Sequence, residues 1–220
     1  MLKILIFDSG YGGEFFADWL GEEMPLVDII RIIDWRNADK ILKSPKEARK
    51  TVANAINPYI GKVDLIVFAN HLLTTTSLEY FRRKYNNQKF IGLGLTKPDG
   101  STRKNKLILT TKALARTIAY HKYLFRLKSK TKTLCLDQWP NLIDDGELTE
   151  EMITTTLSNF LSREKFHPDE IILACAQFQD IKPTLNKFFG RNIKIYDSYA
   201  ATHRQICKIL RIRGGIKKRK

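Results

Sequence analysis

The chain has 220 residues, 43% of them hydrophobic, which is enough for one large domain or two small ones and excludes a scaffold that depends on staples. Its three cysteines, Cys135, Cys175 and Cys207, have no C-x-x-C spacing, which excludes a disulfide framework and favours a reducing, intracellular setting. A formal charge of +15 is unusual for a metabolic enzyme of this size and points towards anionic ligands or partners.

The N-terminal run "LKILIF" ends in Asp-Ser-Gly rather than at a small-residue cleavage site, so it reads as a first strand and not as a targeting segment. Further strands are expected at "VDIIRIID", "DLIVFAN", "KFIGLGL", "KLILTT", "TKTLCLD", "EIILACA" and "IKIYD". Helix-length segments lie between most of them, at residues 14–22, 45–60, 78–85, 112–127, 149–162 and 182–189. Strands that are apolar on both faces and separated by helices indicate an α/β fold with parallel sheets covered on both sides. No run approaches the roughly 18 apolar residues of a membrane helix, so the chain is expected to be soluble and cytoplasmic, with no membrane partner.

The loop "LTKPDGSTRKN", residues 95–105, collects Pro, Gly and polar residues in mid-chain and marks a domain crossing. Two α/β lobes are expected. The first comprises 1–94 with 198–220, which carry a C-terminal helix and a basic tail, and the second comprises 95–197. Open parallel sheets take ligands beyond the carboxyl ends of their strands. The residues there are Asp8 and Ser9, Asp34, Asn70 and His71, Thr110 and Thr111, Cys175, and Asp197 and Ser198.

Charge is unevenly spread. From Ser101 to Leu136 there is no acidic residue, while Arg103, Lys104, Lys106, Lys112, Arg116, Lys122, Arg126, Lys128, Lys130 and Lys132 are basic. The tail "RIRGGIKKRK" adds a second block. Either these are solvated basic surfaces, or they attract a nucleic acid or an acidic protein.

"FDSGYGGEFF" places an acid and a hydroxyl at the end of the first strand, followed by Gly10, Gly12 and Gly13 and a helix start. Such glycines let a backbone approach a ligand and such amides attract an anion, although a purely structural turn accounts for them equally well. Cys175, at the mouth of an apolar run, is in the same way either a reactive thiol or a small buried hydrophobe.

Together with "DLIVFAN" and "EIILACAQFQDIKPTL", the first motif resembles the aspartate/glutamate racemase superfamily, most closely glutamate racemase. The family opens on Phe-Asp-Ser-Gly-x-Gly-Gly, which matches Phe7 to Gly13. Its late motif Ile-Leu-Gly-Cys-Thr-His-Tyr-Pro-Leu-Leu-Lys-Pro matches Ile172 to Cys175, with Lys182-Pro183 at the same spacing, and "IKIYDSYAA" resembles its last strand. The resemblance implies two pseudo-symmetric lobes that hold a small amino or dicarboxylic acid between them. It also implies cofactor-independent and metal-free racemisation by two cysteines on opposite sides of the α-carbon.

Departures from the pattern change that expectation. Asn70 stands where the family has its first cysteine, and asparagine has no useful acid/base pKa. Adjacent His71 titrates near neutrality, but one step along the backbone aims its side chain elsewhere. Ala176 and Gln177 replace Thr-His after Cys175, Asp39 to Ile41 stand at the substrate loop, and of Thr-x-x-Thr only Thr111 is kept. The resemblance thus implies catalytic roles for Cys175 and Asp8, ligand contacts for Ser9, Asn70, His71, Thr111, Ala176 and Gln177, and an auxiliary role for Asp144. The expected chemistry is impaired or one-sided at the α-carbon. The alternatives are a one-cysteine decarboxylase, or a pseudoenzyme that uses its basic surface for a nucleic acid or acidic protein. Glutamate racemases often dimerise, so a homodimer is open, though no dimer signature is visible.

Overall fold

The computed structural model describes residues 1–98, 104–190 and 192–212. The chain divides into two compact units, one formed by Met1–Gly94 with the segment that begins at Ser198, the other by Leu95–Asp197. The strands of the first unit are β1 (Lys3–Asp8), β2 (Asp28–Ile33), β3 (Leu65–Phe68) and β4 (Phe90–Gly92). Its helices are α1 (Gly12–Glu23), α2 (Ala38–Lys43), α3 (Pro45–Ile56), α4 (His71–Lys84) and α10 (Tyr199–Leu210). The second unit contains β5 (Lys106–Thr110), β6 (Thr131–Cys135), β7 (Glu170–Leu173) and β8 (Lys194–Tyr196), with α5 (Lys112–Ala115), α6 (Ile118–Leu127), α7 (Trp139–Asp144), α8 (Glu150–Glu164) and α9 (Lys182–Phe189).

Each sheet is parallel, and the second repeats the first: the order is β2-β1-β3-β4 in one and β6-β5-β7-β8 in the other. The period of two along a strand explains how both faces are covered. Leu5, Phe7, Ile66 and Phe68 pack on Val52 and Ile56 of α3 and Leu73 and Phe81 of α4. Ile4 and Ile6 are also fully buried. In the second unit Leu107, Leu109, Ile171 and Leu173 pack on Trp139, Leu157 and Leu185, while Ile108 and Ile172 meet Leu114, Tyr120 and Leu127. The central strands β1 and β5 are thus buried between helices, and their carboxyl ends are placed by rigid neighbours.

Three features differ from the sequence expectations. The helix expected at 78–85 starts at His71, because the Asn70 side chain accepts the Leu73 amide and caps it. The helix expected at 112–127 breaks, since Thr117 turns its hydroxyl to the Tyr120 amide and starts α6 anew. Lys106 belongs to no basic surface: it is 2% exposed and pairs with Glu170, its register partner on β7, at 3.3 Å. Arg103 and most of the basic tail lie outside the described residues.

Among the described residues no helix is long and apolar enough to cross a membrane. α10 packs through Tyr199 on Phe16, with ring centroids 5.0 Å apart, and through His203 edge-on to Trp19 at 6.0 Å. Burial pushes the His203 imidazole down from its ordinary range, against an opposing effect of Glu23 and with a smaller push from Arg204. A lowered native value means that the folded state prefers neutral His203, so this stability is complete above about pH 6.5 and is lost as pH falls through the lowered value. The unfolding free energy is expected to fall on acidification below pH 6.5, by no more than about 1.4 kcal/mol per pH unit from this group. His203→Gln should flatten that slope in urea titrations at stepped pH, and an unchanged slope would assign the acid sensitivity elsewhere.

Candidate active site

In the first unit, β1 and β3 end side by side, with Phe7 opposite Phe68 and the Ala69 amide donating to the Phe7 carbonyl at 2.8 Å. This register brings Asp8 and Ser9 to Asn70. The Asp8 carboxylate, 2% exposed, accepts the Ser9 amide at 2.6 Å and the Asn70 side-chain amide at 2.8 Å. The same Asn70 nitrogen lies 3.3 Å from the Ser9 hydroxyl, and its carbonyl oxygen takes the Leu73 amide at 2.9 Å. Both ends of the Asn70 side chain are therefore occupied in holding the site together. His71 is the first residue of α4 and is only 5% exposed.

The last of the glycines after Ser9, Gly13, has a steric reason. A Cβ on Gly13 would stand 2.4 Å from the Asp8 Cβ and 2.8 Å from Ile33 Cδ1, so α1 can approach the carboxylate only with glycine there. The Gly13 and Glu14 amides, which the sequence offered to an anion, already donate to the Gly10 and Tyr11 carbonyls at 3.2 and 2.9 Å.

The second unit repeats the arrangement at β5 and β7. Leu109 lies opposite Leu173, and the Ala174 amide donates to the Leu109 carbonyl at 2.9 Å, so Thr111 and Cys175 leave adjacent strand ends. Thr111 occupies the N-cap position of α5 without bonding its amides. Cys175 is partly exposed between buried Ala174 and Ala176. Its thiol donates to the Gln177 side-chain oxygen at 3.1 Å, and the Gln177 nitrogen donates in turn to Asp144, the last residue of α7, at a long 3.5 Å. Gln177 can orient the thiol, but an amide cannot take its proton.

The other two thiols are different in kind. Burial, and then Asp137, push Cys135 up, and burial pushes Cys207 up, which keeps both in the unreactive neutral form. The structure thus brings together Asp8, Ser9 and Asn70 in one unit and Cys175, Ala176, Gln177 and Asp144 in the other, with Thr111 on the neighbouring strand end. Among the described residues no cluster of three or more His, Cys, Asp or Glu could hold a metal ion.

One pair escaped the sequence reading. Lys182, the first residue of α9, makes an ion pair with Asp197 just beyond β8. A cation at the positive end of a helix is unfavourable unless it is paired, and that was the available signal.

No protein-family model matches the chain. Glutamate racemase of Lactococcus lactis subsp. cremoris is 26% identical over 214 residues, 93% of this chain and 78% of the relative. Escherichia coli glutamate racemase, solved with L-glutamate and the activator UDP-MurNAc-ala, superposes with a TM-score of 0.83 at 21% identity, over 97% of this chain and 84% of that one. An aspartate racemase homologue from Pyrococcus horikoshii superposes with a TM-score of 0.59 at 16% identity, over 95% and 99% of the two chains.

Proposed function

We propose, on the premise that the chain belongs to the aspartate/glutamate racemase superfamily and resembles glutamate racemase within it, that it binds a small amino or dicarboxylic acid and exchanges the α-proton of that ligand from one side only. The observation that carries this reading is the contrast between the two half-sites: Cys175 retains a thiol at a strand end, while Asn70 fills the equivalent place with a capping amide. The E. coli relative was solved with L-glutamate, and a carboxylate of that kind is the ligand assigned here.

In the proposed step the Cys175 sulfur, as thiolate, takes the α-proton. The electron pair left on carbon spreads into the neighbouring carboxyl group as an enediolate. The thiol trades its proton with water and returns one to the face from which it came. Asp144 and Gln177 orient the sulfur, and Thr111, on the neighbouring strand end of the same unit, positions the ligand; the resemblance assigns Asp8 and Ser9 to the ligand as well. Inversion would need a second acid, and Asn70, which stands where the family has its first cysteine, has no proton of suitable acidity to give.

The test is α-proton exchange by NMR in deuterated water, run separately on both enantiomers of glutamate and aspartate. The expected result is loss of the α-proton signal of an L-enantiomer with no D product. Inversion would overturn the one-sided reading. No exchange of any of the four would overturn proton transfer at these ligands altogether.

A further inference from the structure

The strongest unassigned feature lies on the outer surface of the first unit, where α3 and α4 enclose two recesses with cavity volumes of about 500 and 370 Å³. They share Arg49, Tyr80 and Lys84; Arg83 and Thr75 line the larger, and Lys46 and Lys50 the smaller. The sequence pattern explains the convergence. Lys46, Arg49 and Lys50 follow one another at helical spacing on α3, as Tyr80, Arg83 and Lys84 do on α4.

Five cations therefore face one groove, and none of them makes an ion pair among the described residues. The carboxylate that also lines the larger recess, Glu79, is taken by Arg82 at 2.6 Å. Arg49 is fixed in place. Its guanidinium lies 4.9 Å from the centroid of the Tyr80 ring, and one terminal nitrogen donates to the Thr76 carbonyl at 2.8 Å. The buried Nε–H finds no acceptor in the protein. A guanidinium held flat, with donors to spare, suits the oxygens of a phosphate group.

From this arrangement we infer that the groove between α3 and α4 binds a small ligand carrying two or more linked phosphate groups. Two adjoining recesses, each with its own cations and sharing Arg49 and Lys84, suit adjacent anionic groups on one molecule. A monoanion would leave most of that charge uncompensated. The inference stands apart from the chemistry at Cys175, and its readout is separate.

The experiment is titration calorimetry of the full chain with inorganic triphosphate, ADP and a 20-nucleotide single-stranded DNA, at low and at physiological salt. Triphosphate is expected to bind one per chain and to weaken as salt rises. The double variant Lys50→Glu/Arg83→Glu changes only exposed positions and should weaken it at least tenfold, whereas Lys122→Glu/Arg126→Glu on α6 should leave it unchanged. Arg49→Ala should also weaken it, with thermal unfolding as the check on folding. Comparable affinities for triphosphate and ADP would mean that the phosphates alone are read, and tighter ADP would mean a nucleotide; both support the inference. Absence of triphosphate binding at low salt, equal binding by the Lys50→Glu/Arg83→Glu variant, or binding of the DNA alone would overturn it.

Discussion

Replacing Cys175 with alanine is expected to lower the α-proton exchange rate by about 10²- to 10⁴-fold, the range that a positioned proton-transfer group contributes. The reason lies in what surrounds the sulfur. Its chain neighbours Ala174 and Ala176 have no ionisable atoms, and Gln177, the side chain that accepts its hydrogen bond, is an amide that cannot take over the proton.

Cys175→Ser separates a chemical role from a packing role. A hydroxyl keeps the donor to Gln177 and nearly the same volume, so stability should be held, yet its proton is far too weakly acidic to serve and exchange should stay lost. Cys135→Ala and Cys207→Ala should retain exchange, because burial holds those thiols neutral. Undiminished turnover in Cys175→Ala would contradict the catalytic assignment and leave Cys175 as a packed residue.

How much of this was legible in the sequence depends on which forces act locally. Seven of the eight strands stand within the expected runs and β1 passes its run by one residue, Asp8, because continuous apolar stretches report burial on both faces directly. The start of α4 was hidden by Thr74, Thr75 and Thr76, β-branched residues of low helix propensity, even though Asn70 is a good capping residue. The short helices α2 and α7 have too few turns to show a period. Motif order identified the strand ends that carry Asp8, Asn70, Thr111 and Cys175. What spacing could not reveal was the bond from Asn70 to Asp8, which joins residues far apart in the chain and exists only once β1 and β3 are in register. The same limit hid the pairing of Lys106 with Glu170 and left a buried lysine looking like part of a basic surface.

That bond also sets the terms of the second large prediction: Asn70→Cys should convert exchange into inversion. Residue 70 is the N-cap of a 14-residue helix, where the peptide dipole and the Leu73 amide favour a negative charge. A thiol placed there is therefore activated as an acid/base group by the backbone itself. The substitution removes the cap and the amide's bonds to Asp8 and Ser9, at a cost of about 1 kcal/mol for the cap alone. Asp8 keeps the Ser9 amide at 2.6 Å, so its carboxylate is not stranded. The expected outcome is an α-deuterated product of the opposite configuration from either enantiomer, at least about 10²-fold above any residual inversion by the unmodified chain. Asn70→Ser, which caps comparably without a thiol, should restore no inversion, and this shows that the gain is chemical rather than a relaxation of the site. Should Asn70→Cys fold, keep one-sided exchange and still give no inversion, residue 70 would not be the position from which the second proton is delivered. The equivalence of Asn70 with the family's first cysteine would then fail on geometry, whatever the motif spacing implies.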